Sequence, residues 1–256
     1  MYNPRNNNPY GGDPYGNPYG GGNRRRSRFD SPYRYQTLPY GYSNTAAQSS
    51  SLMAKVLNML GLSFLVASIG AFFGIAIGLS SGASILFALL GLVLLIVLQF
   101  LIQRPGINLF LLYSFTFIEG LSLAPLLGYY LHNASGILFE AFAITAVASI
   151  GLGVYAWTTK RDFSRLGDYL FWGLILLIVA SLIGFFFRSP LFYTVIAFVG
   201  VAIFSGFVLF YIQRAKYMAD TTPNAIGLTI SIFLTVLNLF LYILEILSIF
   251  QRGNNR

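Results

Sequence analysis

The chain has 256 residues, 56% of them hydrophobic and 9% charged, with a net charge of +8 and a mean hydropathy of +0.67. A water-soluble domain carries about 25% charged residues, so this composition excludes one and points to an integral membrane protein. The absence of cysteine excludes a disulfide framework and a thiolate metal site. In a membrane protein, basic residues mark the cytoplasmic side, so the positive charge is no argument for a nucleic-acid partner.

Residues 1–50 are rich in Gly, Pro, Asn and Tyr, with NPYGG, DPYG and NPYGG forming a crude repeat. Such a segment cannot bury enough apolar surface to offset the entropy of ordering it. It is expected to be a disordered cytoplasmic tail ahead of a transmembrane domain at 51–251.

Seven apolar runs follow, at about 56–79, 85–101, 109–131, 137–157, 169–187, 191–211 and 226–250. A spanning helix needs roughly 20 apolar residues, and each run comes close. The breaks between them are short, which leaves little irregular backbone to be satisfied in lipid. The expected fold is therefore all-α, a polytopic bundle of seven transmembrane helices. With the N-terminus placed in the cytoplasm, 13 of the 16 Lys and Arg residues fall on the inner side, the bias that sets orientation. Only Arg188, Arg252 and Arg256 fall outside.

Gly70, Gly74 and Gly78 are spaced by four in the first run, and predict a small-residue ridge on one helix face. The fourth run, "AFAITAVASIGLGVYAW", is also rich in small residues and is expected to be buried among its neighbours. His132 closes the third run, where an interfacial residue is expected rather than a ligand.

Three glutamates lie in or near the runs. Glu140 and Glu245 sit near helix ends, where water reaches them. Glu119 is about ten residues from the start of its run, roughly 15 Å deep at the rise of an α-helix. Thr116 and Ser122, three residues away on either side, extend it into a narrow polar stripe, and no Lys or Arg lies at matching depth on another run. A carboxylate there must be protonated, hydrogen-bonded, hydrated or paired with a bound cation. The last run offers Ser231, Thr235, Asn238, Tyr242 and Glu245, spaced 4, 3, 4 and 3 and thus on one face. Such a stripe either hydrogen-bonds between helices or lines a polar path.

Residues 52–250 resemble the Bax inhibitor-1 (transmembrane Bax inhibitor motif) family, in its bacterial form. The most specific stretch is "AFAITAVASIGLGVYAWTTKRDFSRLGDYLFWGL" at 141–174, supported by "FIEGLSLAPL" and "LNLFLYILEIL". The resemblance implies a seven-helix bundle with the last helix central. It also implies links to passive calcium leak, to protection against stress or cell death, and in bacteria to restraint of a membrane-bound protease. The family's leak rests on an aspartate pair shared between helices six and seven. Tyr211 and Thr235 stand at those positions here, and neither can share a proton as two carboxylates do.

Two functions follow as expectations. In the first, the chain is a passive cation leak for calcium or protons. Glu119, Thr235 and Asn238 would form its ion or proton site, and Thr116, Ser122, Ser231, Tyr211 and Tyr242 would line the path. In the second, it is a non-transporting regulator in a bacterial inner membrane that binds another membrane protein, such as a membrane-bound protease. No cofactor and no certain metal site is expected, since calcium wants six to eight oxygens and one carboxylate is few. Nor is an enzyme expected. No aspartate lies within a run, and His132 is at the surface.

Overall fold

The computed structural model describes residues 46–187 and 189–254. The tyrosine repeat and arginine cluster of the tail lie outside the described residues, as do Arg188 and Arg256. Seven α-helices make up the rest: α1 (Ala46–Ala76), α2 (Ser81–Leu101), α3 (Ile107–Asn133), α4 (Ser135–Thr158), α5 (Leu166–Phe187), α6 (Pro190–Ala215) and α7 (Thr222–Asn254). There is no strand among the described residues. All seven helices are long and apolar enough to cross a membrane, and a band of exposed Leu, Ile, Val and Phe side chains forms their outer surface. That is the surface a bilayer requires, because only in lipid do such residues lose nothing by exposure.

Local chemistry sets the helix ends. The Ser80 hydroxyl accepts from the Ala83 N–H at 3.2 Å and caps α2. Pro190 stands at the start of α6, where its missing N–H costs nothing. Gly78 was expected on a packing ridge but lies beyond α1 and stops it. At φ +65° it turns the chain left-handed, so that the Leu79 N–H reaches the Gly74 carbonyl and the Gly78 N–H reaches that of Ile75.

Helix α1 begins at Ala46, about ten residues ahead of the apolar run and inside the stretch assigned to the tail. Leu52, Met53 and Val56 explain the early start. They are buried against Val208, Ile212, Ala215 and Leu228 of α6 and α7.

Helix α7 is the centre of the bundle. It packs against α1, α3, α4 and α6, and 50% of its span is buried, against 11% for α2 and for α5. It is one unbroken helix of 33 residues, about 50 Å at an α-helical rise.

The expected burial of α4 is not what the structure shows. Val147, Ile150 and Val154 are largely exposed, and only Ile137, Leu138, Ala141, Thr145 and Ala156 are buried. The small residues of α4 border a groove instead of a tight helix pair.

Candidate functional site

Three places in the bundle hold chemistry. The first is the interface of α2 and α3 around Glu119. The Glu119 carboxylate lies against the backbone of α2 at Gly91, where an added Cβ would stand 2.9 Å from its Oε1. Glycine thus leaves room for a carboxylate beside the neighbouring helix, a role that an isolated glycine in an apolar run can signal. The Ser122 hydroxyl donates to the Glu119 backbone carbonyl at 2.8 Å, and the Ser84 hydroxyl of α2 donates to the Ser122 carbonyl. Thr116 is fully buried and donates to the Tyr113 carbonyl at 3.1 Å. Of these residues, Glu119 and Ser122 touch α2, at Gly91 and Ser84.

The second is the polar face of α7. Ser231, Thr235 and Asn238 each donate to the carbonyl four residues earlier, at 2.9, 2.6 and 2.7 Å. Side chains folded back this way satisfy their donors within their own helix. The Tyr242 ring lies over Gly200 of α6 and stacks with Phe204, with centroids 5.8 Å apart. Tyr211 stacks on Phe207 at 5.7 Å. Since α6 and α7 run antiparallel, the Gly200–Tyr242 contact brings Tyr211 level with the earlier part of α7, which holds Ser231 and Thr235. The carboxylate of Glu119 lies against α2 at Gly91, while Thr235 and Asn238 stand on α7. Glu245 is half-buried one turn beyond Tyr242, while Glu140 and His132 are exposed at helix ends. No group of three or more His, Asp and Glu side chains converges among the described residues.

The third was not foreseen. A groove of about 800 Å³ lies between α1, α3 and α4, floored by Val208 and Ile212 of α6 and by Ile232, Val236 and Phe240 of α7. Its walls are oily. Ser68, Thr145 and Thr158 line it, and their hydroxyls donate to Phe64, Ala141 and Val154 carbonyls of their own helices. Along its outer side α1 and α4 do not meet, since no Cα pair between them comes within 8 Å. The spacing of Ala146, Ser149 and Gly153 by three and four was its signal in the sequence, since small residues on one helix face leave either a contact or a gap.

One end of the bundle carries the basic residues and ties several segments together. Lys55 of α1 pairs with Asp220 in the α6–α7 link at 2.9 Å. The Gln213 amide donates to the Arg161 carbonyl and its oxygen accepts from the Phe163 N–H, which fixes the α4–α5 link to α6. Lys216 donates to the Ala156 carbonyl at 2.9 Å and sits 5.6 Å from the Trp157 ring centre. Burial pushes the Asp220 carboxyl up, but bonds from Lys55 and Ser51 and the Lys55 charge outweigh it and hold the group below its ordinary value. Burial lowers the Lys216 ammonium.

A family model described as "Inhibitor of apoptosis-promoting Bax1" matches residues 49–252, which cover all seven helices. The chain belongs to this family. Among its bacterial relatives, a protein of Campylobacter jejuni is 36% identical over 219 residues, 82% of this chain and 94% of that one. A membrane protein of Vibrio cholerae is 32% identical over 213 residues, 81% of this chain and 93% of that one. A vaccinia virus protein named "Golgi anti-apoptotic protein" is 31% identical over 148 residues, 57% of this chain and 60% of its own length. This Bax inhibitor-type chain is thus a multi-pass membrane protein.

Proposed function

We propose that this chain is a membrane-embedded regulator that acts by contact with another membrane protein, and that it does not carry an ion current. One observation carries the reading. The Glu119 carboxylate packs on α2 at Gly91, and the Thr235 hydroxyl and Asn238 amide of α7 donate to carbonyls of their own helix. A divalent ion leaving water needs most of its six to eight oxygens replaced, and a single carboxylate repays little of that cost. The name of the viral relative supports a protective role against stress or cell death, and a membrane-bound protease is the partner class we favour. The same reading places the protein in a bacterial inner membrane with its N-terminus and basic end in the cytoplasm, and gives it no catalytic role.

A weak cation leak is the second reading, and it rests on Glu119 being a carboxylate at mid-span depth. Purified protein in liposomes separates the two. With calcium and with a proton gradient, flux is expected to match that of protein-free vesicles. A calcium or proton flux that Glu119→Gln removes would overturn the proposal in favour of the leak. Cross-linking in native membranes is then expected to capture a membrane protein.

A further inference from the structure

At the basic end of the bundle, one link is held more firmly than a connection needs. Residues 159–165 join α4 to α5, and they carry Lys160, Arg161 and Arg165, all exposed. The buried Gln213 side chain of α6 reaches across and pairs with this link twice, accepting from the Phe163 N–H and donating to the Arg161 carbonyl. Within the link, the Arg161 N–H donates to the Thr159 hydroxyl at 3.2 Å and the Ser164 N–H to the Asp162 carboxylate at 2.8 Å. The Leu166 N–H donates to the Phe163 carbonyl at 2.9 Å. The Phe163 ring rests near that of Tyr155, with centroids 6.2 Å apart.

A topology signal needs none of this. The inward bias of Lys and Arg depends on their number and their nearness to the membrane, and an unordered link would serve. Fixing the link costs chain entropy, and burying an amide beneath it is unfavourable unless its polar atoms are paired. Exposed charges on a fixed loop at the end of a helical bundle have the properties of a recognition surface, because the partner finds them already ordered.

Charge sets the chemistry of what is recognised. The Arg214 guanidinium lies 5.7 Å from the Phe210 ring centre, and that ring packs on Gly167 in the first turn of α5. Lys216, bonded to the Ala156 carbonyl, stands at the end of α4. With Lys160, Arg161 and Arg165 these cations outnumber the carboxylates of the same region, Asp162 and Asp168, by five to two. Guanidinium groups match carboxylates in a bidentate way. Anionic headgroups have the right sign too, but attraction to a lipid surface follows charge number and asks for no fixed backbone. A protein segment with charges of its own to align rewards one.

On the regulator role argued above, we propose that the α4–α5 link is where the partner membrane protein docks, and that it takes a segment rich in Asp and Glu.

A photoreactive benzoylphenylalanine at Ser164 of the full chain keeps the backbone N–H that Asp162 accepts, and Ser164 is exposed. The chain is irradiated in native membranes and the cross-linked peptide is sequenced. The same probe at Gln103, exposed in the α2–α3 link, is the control. Capture is expected from position 164 and not from 103, through a peptide rich in Asp and Glu. Arg161→Gln and Arg165→Gln should each lower the yield about two- to fivefold, the range of an exposed ion pair. Arg104→Gln, which removes a cation from the other link, should leave it unchanged. Gln213→Ala alters no charge but releases the link, and should lower the yield by a similar factor. If its melting temperature shows that it does not fold, Thr159→Val, which removes the acceptor of the Arg161 N–H, carries the comparison. Equal capture from 103 and 164, a peptide without acidic residues, cross-links to lipid alone, or a yield unmoved by releasing the link would overturn the proposal. So would no capture from 164. If a probe at Val147, exposed in the span of α4, then still captures a membrane protein, the docking surface falls and the regulator role stands. If no position captures one and liposomes show a Glu119-dependent flux, both fall.

Discussion

Helix α1 meets its two flanking helices in opposite ways. Toward α3 the backbones almost touch. An added Cβ at Gly120 would overlap the Ala67 carbonyl, one at Gly70 would overlap the Phe117 carbonyl, and one at Gly74 would stand 2.5 Å from the Ala124 Cβ. Toward α4 there is a groove instead, although α4 is as rich in small residues. Small residues therefore do not by themselves mean close packing. They do so when the partner presents backbone to the same notch, and otherwise they border a groove. The α3 side of α1 is closed by backbone contact, and its other side borders the groove.

The largest effect that tests this contrast is expected at Gly120. A leucine there has only backbone to push against, so α1 and α3 must separate. Gly120→Leu should cost about 3 kcal/mol or more, seen as loss of folded protein by thermal melting in detergent. A melting temperature close to that of the unmutated chain would show that the α1–α3 contact is looser than its geometry.

Gly91 offers a milder version of the same notch, because the atom it faces is the end of a flexible side chain. Gly91→Ala should cost about 1 kcal/mol, the low end for overpacking, as the Glu119 carboxylate swings aside. In a Glu119→Ala background the same change should be neutral or stabilising, so a double-mutant cycle reads the coupling directly. Equal costs in both backgrounds would remove Glu119 from the α2–α3 interface.

On the open side the sign reverses. Gly153→Ala adds a methyl that meets nothing within 4 Å. It should stabilise the protein by about 0.5–1 kcal/mol through helix propensity alone. A loss of stability of that size would mean that another element closes on α4 there.

The seven spans were legible because lipid forces a simple code, with apolar runs of the right length and short breaks. The start of α1 was not, since Leu52 and Met53 are buried by α6 and α7, a tertiary fact with no local signature. The depth of Glu119 could be counted along the run. Its neighbour Gly91 could not, because nothing in one sequence says which face of α2 lies against α3. The polar residues of α7 were grouped by spacing, but spacing does not say whether a hydroxyl points across the bundle or back at its own carbonyl, as that of Thr235 does. The groove stayed hidden for the reason given by α1 itself, since a small-residue face reads the same whether it touches a helix or borders a void.

The smallest expected effect lies at the membrane surface. Lys55 and Asp220 join the start of α1 to the α6–α7 link, with side chains 45% and 19% exposed. An ion pair this open to water contributes little, about 0.2–1 kcal/mol, and less at high salt. Its pH dependence nevertheless has a definite sign. The folded state holds the Asp220 carboxyl below its ordinary value, so the unfolded chain takes up the proton first. The contribution is therefore complete well above pH 4 and is lost as the pH falls below about 4. Asp220→Asn should lower the melting temperature slightly at pH 7, and the gap to the unmutated protein should close on acidification and on adding salt. Because the pair holds α1 at its exposed end and not along the α3 seam, its loss should leave the Gly120 and Gly91 effects unchanged. Additive double variants would confirm that the rigid side of α1 is set by backbone contact within the bilayer, and a strong coupling would show that the surface pair positions the helix instead.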